Sequence, residues 1–219
     1  IRSPLFTLPA DGTYQVKLSY YLAHLKNTTA ADFLRITAIS ENGDRKILLF
    51  DKGTATNRQA QWQSLTGDIS EMAGTRIWLL IEASDGGPGS IVEAAIDNIR
   101  IEQTTRTTSS LPSSGAQGSN GTTTAQNQAL FFDDFESANN WTLNPDGDDT
   151  AYVGTWESGN PQYTQFQSTA IQLNEPSSGN QAMVTGLSAG STVGAYDVDG
   201  GKTSIRSPII NLPAGGTYS

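Results

Sequence analysis

The chain has 219 residues, of which 36% are hydrophobic, 8% aromatic and 16% charged, so it carries enough apolar material for a core and is not wholly disordered. Its formal net charge of −9 disfavours nucleic acid and anionic membrane surfaces as partners, and no apolar run is long enough for a membrane-spanning helix. Cysteine is absent and His24 is the single histidine, which excludes disulfide scaffolds, thiolate zinc sites and multi-histidine metal centres.

The first part of the chain predicts β-strands with almost no helix. Residues 13–22 alternate apolar and polar side chains, which is typical of a half-buried strand. Three further strands are predicted at 34–38, 46–51 and 75–83. The Asn42–Gly43 pair indicates a hairpin turn, and the two apolar faces of 75–83 indicate a central strand. One helical turn is expected near Ile69–Ala73.

A last strand in this part is predicted over residues 91–101, and its pattern contains an irregularity. The apolar residues change parity between Ile96 and Ile99. A β-bulge at Asp97–Asn98 would explain that change, and bulges often direct a side chain toward a functional site. We therefore treat Asp97 as a candidate site residue.

Residues 103–128 are expected to form a flexible linker. Twelve of these 26 residues are Ser or Thr, and only one is charged. Such a segment buries too little apolar surface to offset the entropy of ordering it. It would separate two parts of the chain, 1–102 and 129–219.

A repeat connects the two ends of the chain. Residues 1–14 and 205–218 are identical at ten of fourteen positions, which predicts a tandem array. We therefore expect 1–102 to be the C-terminal part of one repeat and 129–219 the N-terminal part of the next. The two parts are predicted to pack as one circularly permuted sandwich, with the duplicated segments competing for one strand position. A domain-swapped dimer is the alternative.

The second part also predicts strands. A strand is expected at 131–136, short strands carry Trp141 and Trp156, and 181–187 has alternate apolar residues. Glycines separate these segments at the spacing of turns. The fold class predicted for the whole chain is therefore all-β, as a two-sheet antiparallel β-sandwich of the jelly-roll type.

Acidic residues are concentrated in residues 129–219, and they form clusters. The clusters contain Asp133, Asp134 and Glu136; Asp146, Asp148 and Asp149; and Asp197 and Asp199. Carboxylates in loops are the hard oxygen ligands that Ca²⁺ prefers. Each cluster can be interpreted either as a calcium site or as a solvated turn.

Little in the sequence indicates catalysis. There is no nucleophile elbow, phosphate-binding loop or metalloprotease motif, and His24 is interpreted as a structural residue. Paired carboxylates could hydrolyse glycosides, but no single acid stands out among the many. We therefore expect a protein that is not an enzyme.

Six aromatic residues could contribute to a sugar-stacking platform, and Trp156 and Tyr163 are the preferred candidates among Trp62, Trp78, Trp141, Tyr152, Trp156 and Tyr163. Trp156 and Tyr163 flank a Gly-Asn-Pro turn, and exposed rings there could stack on sugars. The alternative is that both rings belong to the core or its rim.

The motifs resemble those of a known group of domains. DFE at 134–136 and AIDNI at 95–99, together with GTWESGNP, ADFLRI and GAYDVDGGKTSIRSP, resemble MAM-like jelly rolls. They are also similar to an accessory jelly-roll domain found after secreted bacterial zinc carboxypeptidases and other exported hydrolases. The chain departs from the MAM pattern in lacking cysteines and in having Asn98 where a second Asp is common.

The resemblance implies a structural calcium ion in a jelly roll. Its ligands would be Asp134, Glu136 and Asp97, together with Asp197 and Asp199.

The function expected from the sequence is a non-catalytic, calcium-stabilised binding or adhesion module. It would belong to an exported bacterial protein, secreted or on the cell surface, and attach to polysaccharide or to surface proteins. One alternative is an accessory C-terminal region of a secreted peptidase, of the zinc carboxypeptidase kind, or of a glycosidase. A structural spacer in an adhesin is another.

Overall fold

The computed structural model describes residues 13–87, 89–109, 122–137, 140–188, 190 and 192–214, with the side chains of 106–109 and 122–123 left aside. The described residues form strands and a single turn of 3₁₀-helix. The strands are β1 (Thr13–His24), β2 (Phe33–Ser40), β3 (Arg45–Lys52), β4 (Gln63–Asp68), β5 (Arg76–Asp85), β6 (Val92–Ser109), β7 (Thr122–Asp133), β8 (Thr142–Leu143), β9 (Trp156–Gly159), β10 (Thr164–Phe166), β11 (Thr169–Gln172), β12 (Ala182–Thr185), β13 (Gly201–Arg206) and β14 (Ile210–Asn211). The helical turn covers Ser70–Met72, close to its predicted position.

Two six-stranded antiparallel sheets contain most of these strands. The first has the order β4-β1-β6-β12-β9, and β7 pairs with β6 in addition. The second has the order β3-β2-β5-β13-β8, and β14 pairs with β5. Strand β5 lies in the middle of its sheet, as its two apolar faces predicted. The predicted all-β, two-sheet antiparallel sandwich is confirmed.

The core lies between the sheets because alternate residues of each strand point inward. In β1 the residues Tyr14, Val16 and Leu18 are buried, and the residues between them are partly exposed. Ile81 of β5 and Ile96 of β6 belong to the same buried cluster. Within the described residues, no helix is long and apolar enough to cross a membrane.

Both sheets combine strands from the two sides of residues 110–121. In the first sheet β12 pairs with β6, through Met183 opposite Ile96. In the second sheet β13 pairs with β5, through Ile205 opposite Ile81.

The predicted β-bulge is confirmed at the expected place. Lys17 of β1 lies opposite Arg100 of β6, whereas Ser19 lies opposite Asp97, so β6 has one residue more than β1 in this interval. Asn98 adopts a left-handed conformation with φ of 54°, which asparagine tolerates better than most residues. Because of the extra residue, the side chain of Ile99 points into the core.

The segment expected to be a linker differs from that expectation at both of its ends. Strands β6 and β7 continue into it and pair antiparallel, from Gln103 opposite Gln128 to Ser109 opposite Thr122. A ladder of backbone hydrogen bonds between two Thr-rich strands orders these residues with little burial, because Thr favours extended backbone. Residues 110–121, in the middle of the segment, lie outside the described residues.

The described part of the second copy of the repeated segment, residues 205–214, lies alongside β5. Ile205 and Arg206 belong to β13, and Ile210–Asn211 forms β14. The carbonyl oxygen of Pro213 accepts a hydrogen bond of 2.5 Å from the Tyr14 hydroxyl group at the start of β1. The first copy falls on residues 1–12, outside the described residues, apart from Thr13 and Tyr14 in β1.

Candidate functional site

The bulge in β6, the end of β7 and the loop 177–181 meet at one place, and we call the carboxylates there the junction group: Asp97, Asp134 and Glu136. Asp97 is fully buried, and its carboxylate accepts a hydrogen bond of 3.0 Å from the Ser178 backbone amide. Glu136 Oε1 accepts bonds of 2.6 and 2.7 Å from the amides of Asn180 and Gln181. The two carboxylates therefore fasten the loop to the sandwich.

Further oxygen atoms surround Asp97. The Ser177 hydroxyl group donates to Ser19 Oγ at 2.7 Å, and the Ser178 hydroxyl group donates to Asn98 Oδ1 at 2.9 Å. The junction is therefore rich in hard oxygen donors.

The junction carboxylates experience different electrostatic surroundings. Burial raises the pKa of Asp97 to about 6, the neighbouring Asp134 contributes in the same direction, and backbone hydrogen bonds oppose the shift. Glu136 is partly exposed, and the amides of Asn180 and Gln181 lower its pKa. Within the described residues, no three or more acidic or histidine side chains form a group that could hold a metal ion.

A second acidic group lies near Val92, at the beginning of β6. We call it the loop-end group, and its members are Asp32, Asp85, Glu93 and Asp197, all of them buried. Asp32 accepts bonds from the backbone amides of Thr29, Gly86 and Gly87. Asp197 Oδ2 accepts a bond of 3.1 Å from the Val92 amide. These carboxylates order the loops that follow β5 and precede β13.

Burial and repulsion between carboxylates raise the pKa values of Asp85, Glu93 and Asp197. Desolvation is the largest cause for Asp197, whose pKa is raised to about 7, with Asp199 and Asp85 adding to it. The pKa of Asp85 is raised to about 6, chiefly by burial and in part by Asp32. Burial and the neighbouring Asp197 also raise the pKa of Glu93 well above its usual value. Within the described residues, no lysine or arginine forms an ion pair with any of the four.

An open cavity of about 470 Å³ adjoins the loop-end group. Its walls include two Asp-Gly-Gly sequences, 85–87 and 199–201, which adjacent strands bring together because Gly201 lies opposite Asp85. The ring of Tyr152, 75% exposed, forms another part of the wall. We call this cavity the DGG cleft.

The five predicted calcium ligands lie in two places. Asp97 and Asp134 are electrostatic neighbours at the junction, and Glu136 binds the same loop at Asn180 and Gln181, but Asp197 and Asp199 belong to the loop end. Asp197 binds the backbone at Val92, five residues before Asp97 in the same strand, which corresponds to about 16 Å. The five residues therefore do not surround one ion.

The expectation that Trp156 is an exposed platform is wrong. The side chain is 1% exposed, and its indole N–H donates to the Thr203 carbonyl oxygen at 3.3 Å in the core. Strand β9 pairs with β12 at the edge of its sheet and directs this ring between the sheets. Tyr163 is 46% exposed, and its hydroxyl group donates to Gln165 Oε1. The two rings do not form a common exposed surface.

The remaining candidates take part in local structure. Nδ1 of the buried His24 lies 2.8 Å from Thr28 Oγ1, which supports its interpretation as a structural residue. Asp133 accepts a bond from the Trp141 indole N–H. Asp148 forms an ion pair of 2.7 Å with Lys202, Asp149 accepts bonds from Ser204, and Asp146 lies 3.8 Å from Arg206.

The sequence interpretation included Tyr152 among the candidate aromatic residues but preferred Trp156 and Tyr163, and it overlooked the first Asp-Gly-Gly sequence. A usable signal was present, because the same three residues occur at 85–87 and at 199–201, each at the end of a predicted or observed strand. Tyr152 stands between an acidic loop and a glycine turn, where sequence alone does not distinguish an exposed ring from a buried one.

Comparison of the chain with protein-family profiles, curated proteins and solved structures finds no match.

Proposed function

We propose that the chain is a non-catalytic, calcium-stabilised binding module of an exported bacterial protein, and that it attaches to polysaccharide. The observation that carries the calcium part is the junction, where Asp97 and Glu136 hold one loop among hydroxyl and amide oxygens. The resemblance to MAM-like jelly rolls, stated from the motifs, supports the same interpretation.

The donor set at the junction fits Ca²⁺ in its chemistry. Asp97 and Asp134 would supply carboxylate oxygens, and Asn98 and Ser178 would supply neutral oxygens, all of the hard type that calcium prefers. The ion would offset the repulsion between Asp97 and Asp134, which contributes to the raised pKa of Asp97. It would thereby strengthen the connection of β6 to the end of β7.

The binding part of the proposal rests on the loop end of the sandwich. Loops held by a rigid scaffold commonly carry recognition residues, and the DGG cleft lies among such loops. The net charge of −9 favours a neutral or cationic partner surface.

Thermal unfolding with excess Ca²⁺ and with EGTA tests the calcium part. At a hundredfold excess over Kd we expect a gain of about 2.7 kcal/mol, corresponding to about 5–10 °C in Tm. Asp97→Asn should abolish the response, because one of the charged ligands is lost. Asp199→Asn is the matched control, since it changes an acid at the loop end and should leave the response intact.

An unchanged Tm of the native chain would contradict the calcium assignment. A response lost in Asp199→Asn and kept in Asp97→Asn would instead move the ion to the loop end. Mg²⁺ in place of Ca²⁺ serves as a second control, because it demands a smaller and more regular site.

A further inference from the structure

The DGG cleft has the composition of a sugar-binding site. Among its described lining residues, Asp85, Tyr152 and Asp199 have side chains, and the other five are glycines. The wall therefore offers one aromatic face, two carboxylates and exposed backbone. Its volume of about 470 Å³ lies within the range of small-molecule sites.

The Tyr152 ring is exposed and rests on the backbone of a glycine turn. A Cβ at Gly200 would overlap the ring, so the ring packs directly on the backbone of a residue with φ of 81°. The Tyr152 amide also donates to the Asp199 carbonyl oxygen at 3.1 Å. An aromatic ring supported by backbone on one face loses less side-chain entropy when a flat ligand binds to its other face.

The two carboxylates of the cleft differ in their availability. Asp85 accepts a bond of 2.6 Å from the Ser90 hydroxyl group and is buried. Asp199 is partly exposed, and within the described residues no hydrogen bond or ion pair of its carboxylate is found. Asp199 is therefore the acceptor available to a ligand hydroxyl group.

The remaining chemistry of the cleft narrows the class of ligand. No lysine or arginine is among the described lining residues, which disfavours phosphates and acidic sugars. Aliphatic side chains are likewise absent from that lining, which disfavours lipids and other purely apolar ligands. A sugar ring combines an apolar C–H face with hydroxyl groups, and it matches both the tyrosine and the carboxylate.

We propose that the DGG cleft binds a glycan free of acidic groups, with a sugar ring stacked on Tyr152 and a hydroxyl group donating to Asp199. This inference rests on the proposed function as a polysaccharide-binding module, and it names the site and the ligand class. The stacking interaction supplies most of the affinity, and the carboxylate orients the ring.

Titration calorimetry with the whole chain in excess Ca²⁺ tests the site. The probes are neutral gluco-, xylo- and manno-oligosaccharides, chitosan oligosaccharides and oligogalacturonates. We expect binding of at least one neutral or amino-sugar probe and none of the oligogalacturonates. Tyr152→Ala should weaken that binding at least about tenfold, and Asp199→Asn several-fold.

Two variants serve as controls. Tyr152→Phe keeps the ring and should retain most of the affinity. Tyr163→Ala removes an exposed tyrosine elsewhere on the sandwich and should have no effect. The Tm of each variant establishes that it is folded.

Three outcomes would contradict this inference, and each would overturn a different part of it. Glycan binding that survives Tyr152→Ala overturns the DGG cleft as the site and leaves the proposed function standing. Preference for oligogalacturonates overturns the ligand class. Absence of binding to every probe overturns both this inference and the attachment to polysaccharide, whereas the calcium response is judged separately from the Tm.

Discussion

The junction group and the loop-end group are both acidic, and they solve the problem of buried charge in different ways. At the junction, Asp97 is the one buried carboxyl group, with its pKa raised to about 6, whereas Glu136 stands at the partly exposed rim and accepts two backbone amides, so its pKa is lowered. At the loop end, carboxyl groups face one another, and the pKa of Asp197 rises to about 7. The contrast shows that acidity in a sequence does not define one kind of site.

The two groups also use different residues at their turns. The loop end places glycines where the backbone is left-handed, as at Gly200. The junction places Asn98 and the buried Phe135 in left-handed conformations, with φ of 54° and 59°. Conformations that are unfavourable for such residues persist where the surroundings impose them, and they are often found near functional sites.

Among the substitutions that distinguish the loop-end group from the junction group, we expect Asp32→Ala to have the largest effect on stability. Asp32 is buried and accepts three backbone amides, so its removal leaves three donors without their partner. We expect the free energy of unfolding to fall by about 3–4 kcal/mol in urea denaturation. Asp146→Ala, which removes an exposed acid, should change it by less than about 0.5 kcal/mol.

A loss below about 1 kcal/mol for Asp32→Ala would contradict this interpretation. It would mean that relief of the repulsion between Asp32 and Asp85 offsets the lost hydrogen bonds, and the loop-end group would then be a source of strain rather than of order.

The strands of the sandwich were predictable where their apolar residues follow a regular pattern. Alternation in residues 13–22 and the two apolar faces of 75–83 gave β1 and the central β5. The change of parity before Ile99 located the bulge, because an extra residue reverses every following side chain. Strand β4 was not predicted, since its sequence QSLTGD has one large apolar residue and lies at a sheet edge.

The site was predictable only in part, because it depends on which segments meet in space. The acids of 134–136 and Asp97 were joined through the resemblance; Asp134 is an electrostatic neighbour of Asp97, and Glu136 is connected to Asp97 only through the loop 177–181. Asp197 was assigned to the same ion, although the fold connects it to the beginning of β6 rather than to the bulge. Trp156 was misjudged because a turn residue nearby does not reveal which face of an edge strand is covered by the other sheet.

The pH dependence of stability is the second way to sharpen the comparison. A carboxyl group whose pKa is raised by folding binds its proton more tightly in the folded chain, so its contribution is lost as pH rises through the folded value. For Asp85 and Asp197, at about 6 and about 7, the loss extends from about pH 4 to about pH 7. We expect a decrease of about 2 kcal/mol in unfolding free energy between pH 6 and 8.

Glu136 acts in the opposite direction. Its lowered pKa means that its contribution is present above the unfolded value of about 4 and is lost as pH falls through the folded value. Urea denaturation across this range should therefore show a maximum near pH 5. Asp197→Asn should flatten the decrease above pH 5, and stability that rises steadily to pH 8 would contradict the prediction.

The smallest expected effect on stability comes from backbone strain at the junction. Two substitutions of Asn98 distinguish this strain from the loss of the asparagine side chain. Asn98→Ala places an alanine at φ of 54° and removes the acceptor of the Ser178 hydroxyl group, so we expect a loss of about 1–2 kcal/mol. Asn98→Gly removes the same side chain but adopts this conformation freely, and Ser178 is exposed enough to bind water instead. Its unfolding free energy should therefore stay within about 0.5 kcal/mol of the native value, measured in urea under the same conditions. Equal losses in both variants would show that the hydrogen bond to Ser178, and not the left-handed backbone, is what distinguishes the junction from the glycine turns of the loop end.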